Sequence, residues 1–253
     1  MSSSIWMQCA GISELRPLSF VTWRVVEAQH LLSTRKLVDS AAEQVLLEEM
    51  IDNAKPRDGT EGRIHYLLFT PFRYPPLRHG SRFGTRRERG VWYGSEQQQT
   101  AFAEVAYYRL LFFEGTRAVL STVTATLTAF TVRVRSERAI DLAAKPFNAH
   151  RAIIAAPNAY VESQTLGTAM REAGVDFFRY PSARDAAPAC NIGVFSPAAF
   201  HRAKPQKFET WHCIATNELV EFASADFRAH RARHSFERVQ FEVGGVLPAP
   251  ALG

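Results

Sequence analysis

In PFRYPPLRHGSRFGTRRERGVWYG, residues 71–94, two of the six arginines stand apart from the rest. Arg73 lies between Phe72 and Tyr74, and Arg82 lies between Ser81 and Phe83 with Gly80 and Gly84 outside them. An arginine flanked by aromatics and glycines can be seated where its planar fork meets a phosphate or a carboxylate. A structural salt bridge is the equal alternative. Arg86, Arg87 and Arg89, with Glu88 among them, read as a solvated tip.

An acid and a hydroxyl complete the candidates. Glu104, in TAFAEVAYY, has no Lys or Arg three or four residues to either side. It is therefore either solvent-facing or reserved for a partner from elsewhere in the chain. Ser182, in RYPSARD, follows an expected strand and Pro181, where a serine is either a turn residue or part of a substrate loop. No G-x-S-x-G elbow surrounds it, which argues against a hydrolase nucleophile.

Other signals lead away from metals and nucleotide folds. His212 and Cys213 are neighbours in an expected strand and point to opposite faces. His230 and His234 could share a helix face, but no third ligand accompanies them. No metal site is expected. GxGxxG and Walker patterns are absent, so the common dinucleotide and P-loop folds have no support.

The elements that must position these residues alternate in kind. Residues 34–54 place Leu37, Val38, Ala41 and Val45 on one helical face, and residues 18–31 read as a second helix, together an N-terminal helical layer. PRDGTEGR at 56–63 marks a boundary. IHYLLF at 64–69 suits a buried strand, VWY at 91–93 another, and residues 100–113 a helix in which Glu104, Tyr107 and Tyr108 fall beside each other. Residues 119–136 alternate at period two, and the apolar phase flips at Phe130, which implies a bulge or a passage between parts of a sheet. A helix over 163–173 and strands at 175–180, 191–195, 209–222 and 236–243 complete an α+β pattern without β-α-β rhythm.

With 253 residues, 46% hydrophobic and 22% charged, the chain can bury a sizeable core. Its net charge of +5 favours anionic partners: nucleic acid, a membrane surface or a phosphorylated small molecule. Cys9, Cys190 and Cys213 are odd in number and widely spaced, so a disulfide framework is not expected and a reducing cytoplasm is. No run approaches the roughly 20 apolar residues of a membrane span, and the first residues do not form a secretory signal.

Taken in chain order, PFRY at 71–74, GSRFG at 80–84, GVWYG at 90–94, TAFAE at 100–104 and YPSARD at 180–185 with Asn191 beyond resemble the RES domain family, toxins named for an Arg, a Glu and a Ser. The resemblance implies an ADP-ribosyltransferase-like split sheet that clasps NAD as substrate, with a core over residues 61–200, a helical extension over 1–60, and strands from 201–253 packed on the core. It implies that Arg73 and Arg82 hold phosphate and ribose oxygens and that Tyr74 and Tyr93 flank the nicotinamide end. Glu104 would stabilise the oxocarbenium-like ribose, Ser182 would hydrogen-bond the ribose or the amide, and Asn191 would help bind NAD. The interval from Glu104 to Ser182 exceeds that of compact members, which makes Ser163 in ESQTLG the alternative serine.

Further implications are inorganic phosphate or water as co-substrate, no permanently bound cofactor, and a helix-turn-helix antitoxin as partner. The N-terminal face could serve that antitoxin or a homodimer, or it could cap the core. Two other functions compete: transfer of ADP-ribose to a protein, and a non-catalytic nucleic-acid module using residues 73–89. The basic residues do not follow one helix and no RNP or helix-turn-helix pattern is present, which disfavours direct nucleic-acid binding.

Overall fold

The computed structural model describes residues 4–28, 64–74, 80–117, 120–185, 187–226 and 232–249. The helix expected over 34–54 and the boundary at 56–63 lie outside them. Their order is α1 (Ile5–Gln8), β1 (Arg16–Glu27), α2 (Tyr66–Arg73), β2 (Trp92–Ser95), α3 (Gln98–Gly115), β3 (Val123–Asp141), α4 (Arg151–Ile154), α5 (Val161–Glu172), β4 (Phe177–Pro181), β5 (Cys190–Val194), β6 (Lys207–Ala215), β7 (Leu219–Ser224) and β8 (Arg233–Glu237). The class is α+β, as expected.

β1 corrects the N-terminal reading. RPLSFVTWRVVE is rich in β-branched and aromatic residues, and it pairs with β3 from Leu18↔Ser136 to Glu27↔Leu127 without a break. The segment expected as a helix in an outer layer is a strand built into the main sheet. The 19-residue β3 is the hub, with β1 on one edge and β6 and β4 on the other. Strands β1, β2, β5, β4 and β3 close into a ring, and β6, β7 and β8 continue outward from β3. Only β3 and β4 are parallel; every other pairing is antiparallel.

The phase flip at Phe130 is a change of core and not a bulge. Leu127 and Ala129 face the cluster of Phe102, Trp211 and Phe222, whereas Phe130, Val132 and Val134 face Phe72, Trp92 and Phe177. A third cluster joins Phe83, Phe178 and Phe195 to Leu166 and Met170 of α5.

Residues 64–69 depart from the expected strand. Leu68, Phe69 and Phe72 are buried at helical spacing, and the His65 side chain accepts from Leu67 N at 3.3 Å to start the helix. Pro71 sits inside α2 and cannot donate to Leu67 O; that carbonyl instead accepts from Trp92 Nε1 at 3.4 Å. Toward the C-terminus the expected strand at 209–222 is two strands, and the one at 236–243 begins earlier, as β8, and ends in a 3₁₀ turn at Arg238–Phe241.

α5 approaches the Arg82 turn through a glycine. A Cβ on Gly167 would lie 2.2 Å from the backbone O of Phe83 and 2.7 Å from its C. Backbone cannot step aside, so Gly167→Ala should destabilise the protein by about 1 to 3 kcal/mol, measured by urea unfolding. Unchanged stability would mean that helix and turn are not rigidly apposed.

Candidate active site

Glu104 owes its position to the buried face of α3. Phe102, Ala103, Ala106 and Leu110 are fully buried, and the Phe102 ring lies 4.7 Å from Trp211 and 4.6 Å from Phe222. Tyr107 turns to this side too, donating to Pro248 O at 2.5 Å. It therefore leaves the grouping expected of it, and Tyr108 alone follows Glu104 one turn along the opposite face.

One oxygen of Glu104 is clamped by a residue just past β4 and a residue within β5. Ser182 Oγ donates to Oε1 at 3.1 Å and Asn191 Nδ2 donates to the same atom at 2.6 Å, while Oε2 has no partner among the described residues. The carboxylate was thus reserved for partners distant in sequence. Asn191 is itself oriented: Ser95 Oγ donates to its Oδ1 at 2.6 Å across the β2–β5 pair, which leaves the amide nitrogen for Glu104.

Ser182 is held by its own loop. Its Oγ accepts from Arg184 N at 3.1 Å and Asp185 N at 3.2 Å, so its proton is directed to Glu104. Asp185 accepts from Thr100 Oγ1 at 2.7 Å, and the Arg184 guanidinium lies 3.5 Å from the Tyr107 ring centroid. The loop is fastened to α3 at two points. Ser163 is not beside Glu104; it is buried in α5 and donates to Tyr160 O at 3.0 Å. Ser182→Ala would remove the donor to Glu104 and the acceptor for two backbone N–H groups. A loss of about 1 to 3 kcal/mol in stability is expected, measured by denaturant unfolding, and full stability would show that the loop stands without that hydroxyl.

Arg82 occupies the tip of a turn closed by Ser81 N to Gly84 O at 2.7 Å, and Phe83 anchors the turn against Phe178 and Tyr180, at 4.7 and 4.8 Å. Its Nη1 donates to Ile154 O at 3.3 Å and Ala156 O at 2.7 Å, and its guanidinium lies over the Tyr160 ring at 4.6 Å. Nε and Nη2 carry no hydrogen bond among the described residues. Tyr93 OH accepts from Phe83 N at 3.1 Å and bonds Ser81 Oγ at 2.9 Å, tying β2 to this turn. Burial raises the Tyr93 phenol to about 12, and burial with the Glu104 charge nearby pushes Tyr180 well up, so both stay neutral at physiological pH.

Arg82, Tyr93, Glu104 and Asn191 meet in a cleft of about 500 Å³ between α3 and the start of the strand ring. Arg73 and Tyr74 do not line it: Arg73 is the last residue of α2 and Tyr74 its C-cap. Arg86, Arg87 and Arg89 are exposed and also stand outside. His212 is exposed with Cys213 buried, and His234 lies on β8, stacked on Phe102 at 4.5 Å.

Sequence reasoning missed several cleft residues. Arg24 donates to Tyr93 O at 2.9 Å and lies 5.1 Å from the Trp92 ring centroid, where burial lowers its guanidinium to about 10. Tyr160, Arg109 and Glu27 line the cleft as well. A strand reading of FVTWRVVE, with its β-branched residues, was the signal for Arg24 and Glu27.

An α+β ring that clamps one carboxylate at the wall of an arginine- and tyrosine-lined cleft defines the class. The chain belongs to the RES domain family, whose model matches residues 60–215. No curated protein sequence matches the chain. Among solved structures it is similar to one from the crystal structure of the M. tuberculosis MbcT–MbcA toxin–antitoxin complex, at 12% identity and a TM-score of 0.49, over 85% of this chain and 94% of that one. No helix among the described residues is long and apolar enough to cross a membrane.

Proposed function

We propose that the protein is the toxin of a toxin–antitoxin pair and that it destroys NAD by cleaving the bond between nicotinamide and ribose. The observation that carries this reading is the half-clamped carboxylate of Glu104, a cleft-lining side chain with one oxygen fixed by Ser182 and Asn191 and the other without a partner among the described residues. Fixed negative charge of this kind favours a reaction in which positive charge develops at a sugar carbon.

NAD enters with its nicotinamide ribose at Glu104. The C1″–N bond to nicotinamide breaks, its electron pair leaves with neutral nicotinamide, and Glu104 Oε2 faces the positive ribose. An oxygen of inorganic phosphate then bonds C1″ to give ADP-ribose 1″-phosphate; water in its place gives ADP-ribose and a proton. Ser182 and Asn191 position the carboxylate and need not touch the sugar. Tyr93 and Tyr180 offer ring edges and faces to the aromatic end of the substrate. The cations for the diphosphate are Arg82 and Arg24 of β1, not Arg73.

RES membership supports a partner antitoxin, for which a helix-turn-helix protein encoded alongside is the expected form. Expression in bacteria tests the reading: growth should stop as cellular NAD falls, and co-expression of the adjacent gene should restore both. Arrest with a normal NAD pool would contradict it.

A further inference from the structure

The cleft continues past Glu104 along α3. Tyr108 and Phe112 follow Glu104 at one and two turns, and eight residues at the helical rise carry the wall about 12 Å farther. Phe112, half exposed, lines the cleft together with Val25 and Leu127, which gives this part of it an apolar lining. Arg109 and Glu27, which line the same cleft, make an ion pair; Glu27 is 58% exposed and Arg109 only 18%. Neither residue takes part in the clamp on Glu104.

We propose that the Glu27–Arg109 pair reads the 2′ position of the adenosine ribose and restricts the cleft to the dinucleotide that lacks a 2′-phosphate. This rests on the NAD reading above. With the nicotinamide ribose at Glu104, the diphosphate spans the wall beside Tyr108 and the adenine enters the Val25–Leu127–Phe112 slot. That puts the second ribose at the ion pair. A carboxylate there accepts the 2′-hydroxyl, as acidic residues do in dinucleotide sites, and repels a 2′-phosphate. An arginine in the same place would welcome the phosphate, but its charge is engaged by Glu27.

The discriminating substitution is Glu27→Gln, an isostere at an exposed position that removes the repelling charge and releases Arg109. Nicotinamide release from NAD and from NADP gives kcat/KM for each, and calorimetric binding of ADP-ribose and 2′-phospho-ADP-ribose gives the same comparison without turnover. The ratio of NADP to NAD should rise by about ten-fold or more in Glu27→Gln, in both measurements, and Arg109→Met added to it should erase the gain. An unchanged ratio with intact NAD cleavage would overturn this proposal alone. If the wild-type protein released nicotinamide from neither dinucleotide and bound neither ADP-ribose, the NAD reading itself would fall and take the proposal with it.

Discussion

Glu104→Gln should reduce NAD cleavage by about a thousand-fold while leaving the fold intact. The amide keeps the shape of the carboxylate, and its oxygen can still accept from Ser182 Oγ and Asn191 Nδ2, which bond Oε1 at 3.1 and 2.6 Å. Only the charge is lost. Since that charge matters where the ribose turns positive, kcat and kcat/KM should fall together while KM moves little. Glu104→Ala is a less clean test, because it leaves the Asn191 amide without its acceptor at a cost of about 1 to 3 kcal/mol. Single-turnover kinetics on folded Glu104→Gln checks the prediction. Turnover within a few-fold of wild type would exclude electrostatic stabilisation by this carboxylate.

The largest loss of stability is expected from Phe102→Ala, at about 3 to 5 kcal/mol. Phe102 is fully buried two residues before Glu104, among Trp211, Phe222 and His234 at 4.7, 4.6 and 4.5 Å. Removing the ring leaves a cavity that fixed strands β6 and β7 cannot fill. Total stabilities of about 5 to 15 kcal/mol make such a loss severe. Because Phe102 seats α3 on the sheet, the surviving folded fraction should also hold Glu104 less accurately, and activity per folded molecule should drop. Denaturant unfolding gives the first quantity and active-site titration the second. A stability change below about 1 kcal/mol would mean that α3 is held mainly by other contacts.

The candidate site residues were more legible than the frame that carries them. Glu104 stood out because α3 is strongly helical and offered it no partner, and its partners proved to be Ser182, in the loop after β4, and Asn191 of β5. Ser95 carried no such signal, since its role depends on the Ser95↔Asn191 pairing of residues far apart in sequence. Two local misreadings had larger effects. Treating 18–31 as helical hid Arg24 and Glu27, although the β-branched and aromatic residues of FVTWRVVE favour a strand. Arg73 and Tyr74 drew attention through their aromatic flanks, yet Phe72 is simply the last buried residue of α2. Pro71 disguised that helix, and the compensating bond from Trp92 Nε1 to Leu67 O is a tertiary contact invisible in a local window.

The most direct test is to incubate the purified protein with NAD, with and without inorganic phosphate, and follow free nicotinamide by NMR. Nicotinamide should appear at the rate NAD disappears, with ADP-ribose 1″-phosphate as the companion product when phosphate is present and ADP-ribose if water is the acceptor. NAD that stays intact under both conditions, with a folded protein, would contradict the assignment of this cleft to nicotinamide–ribose cleavage.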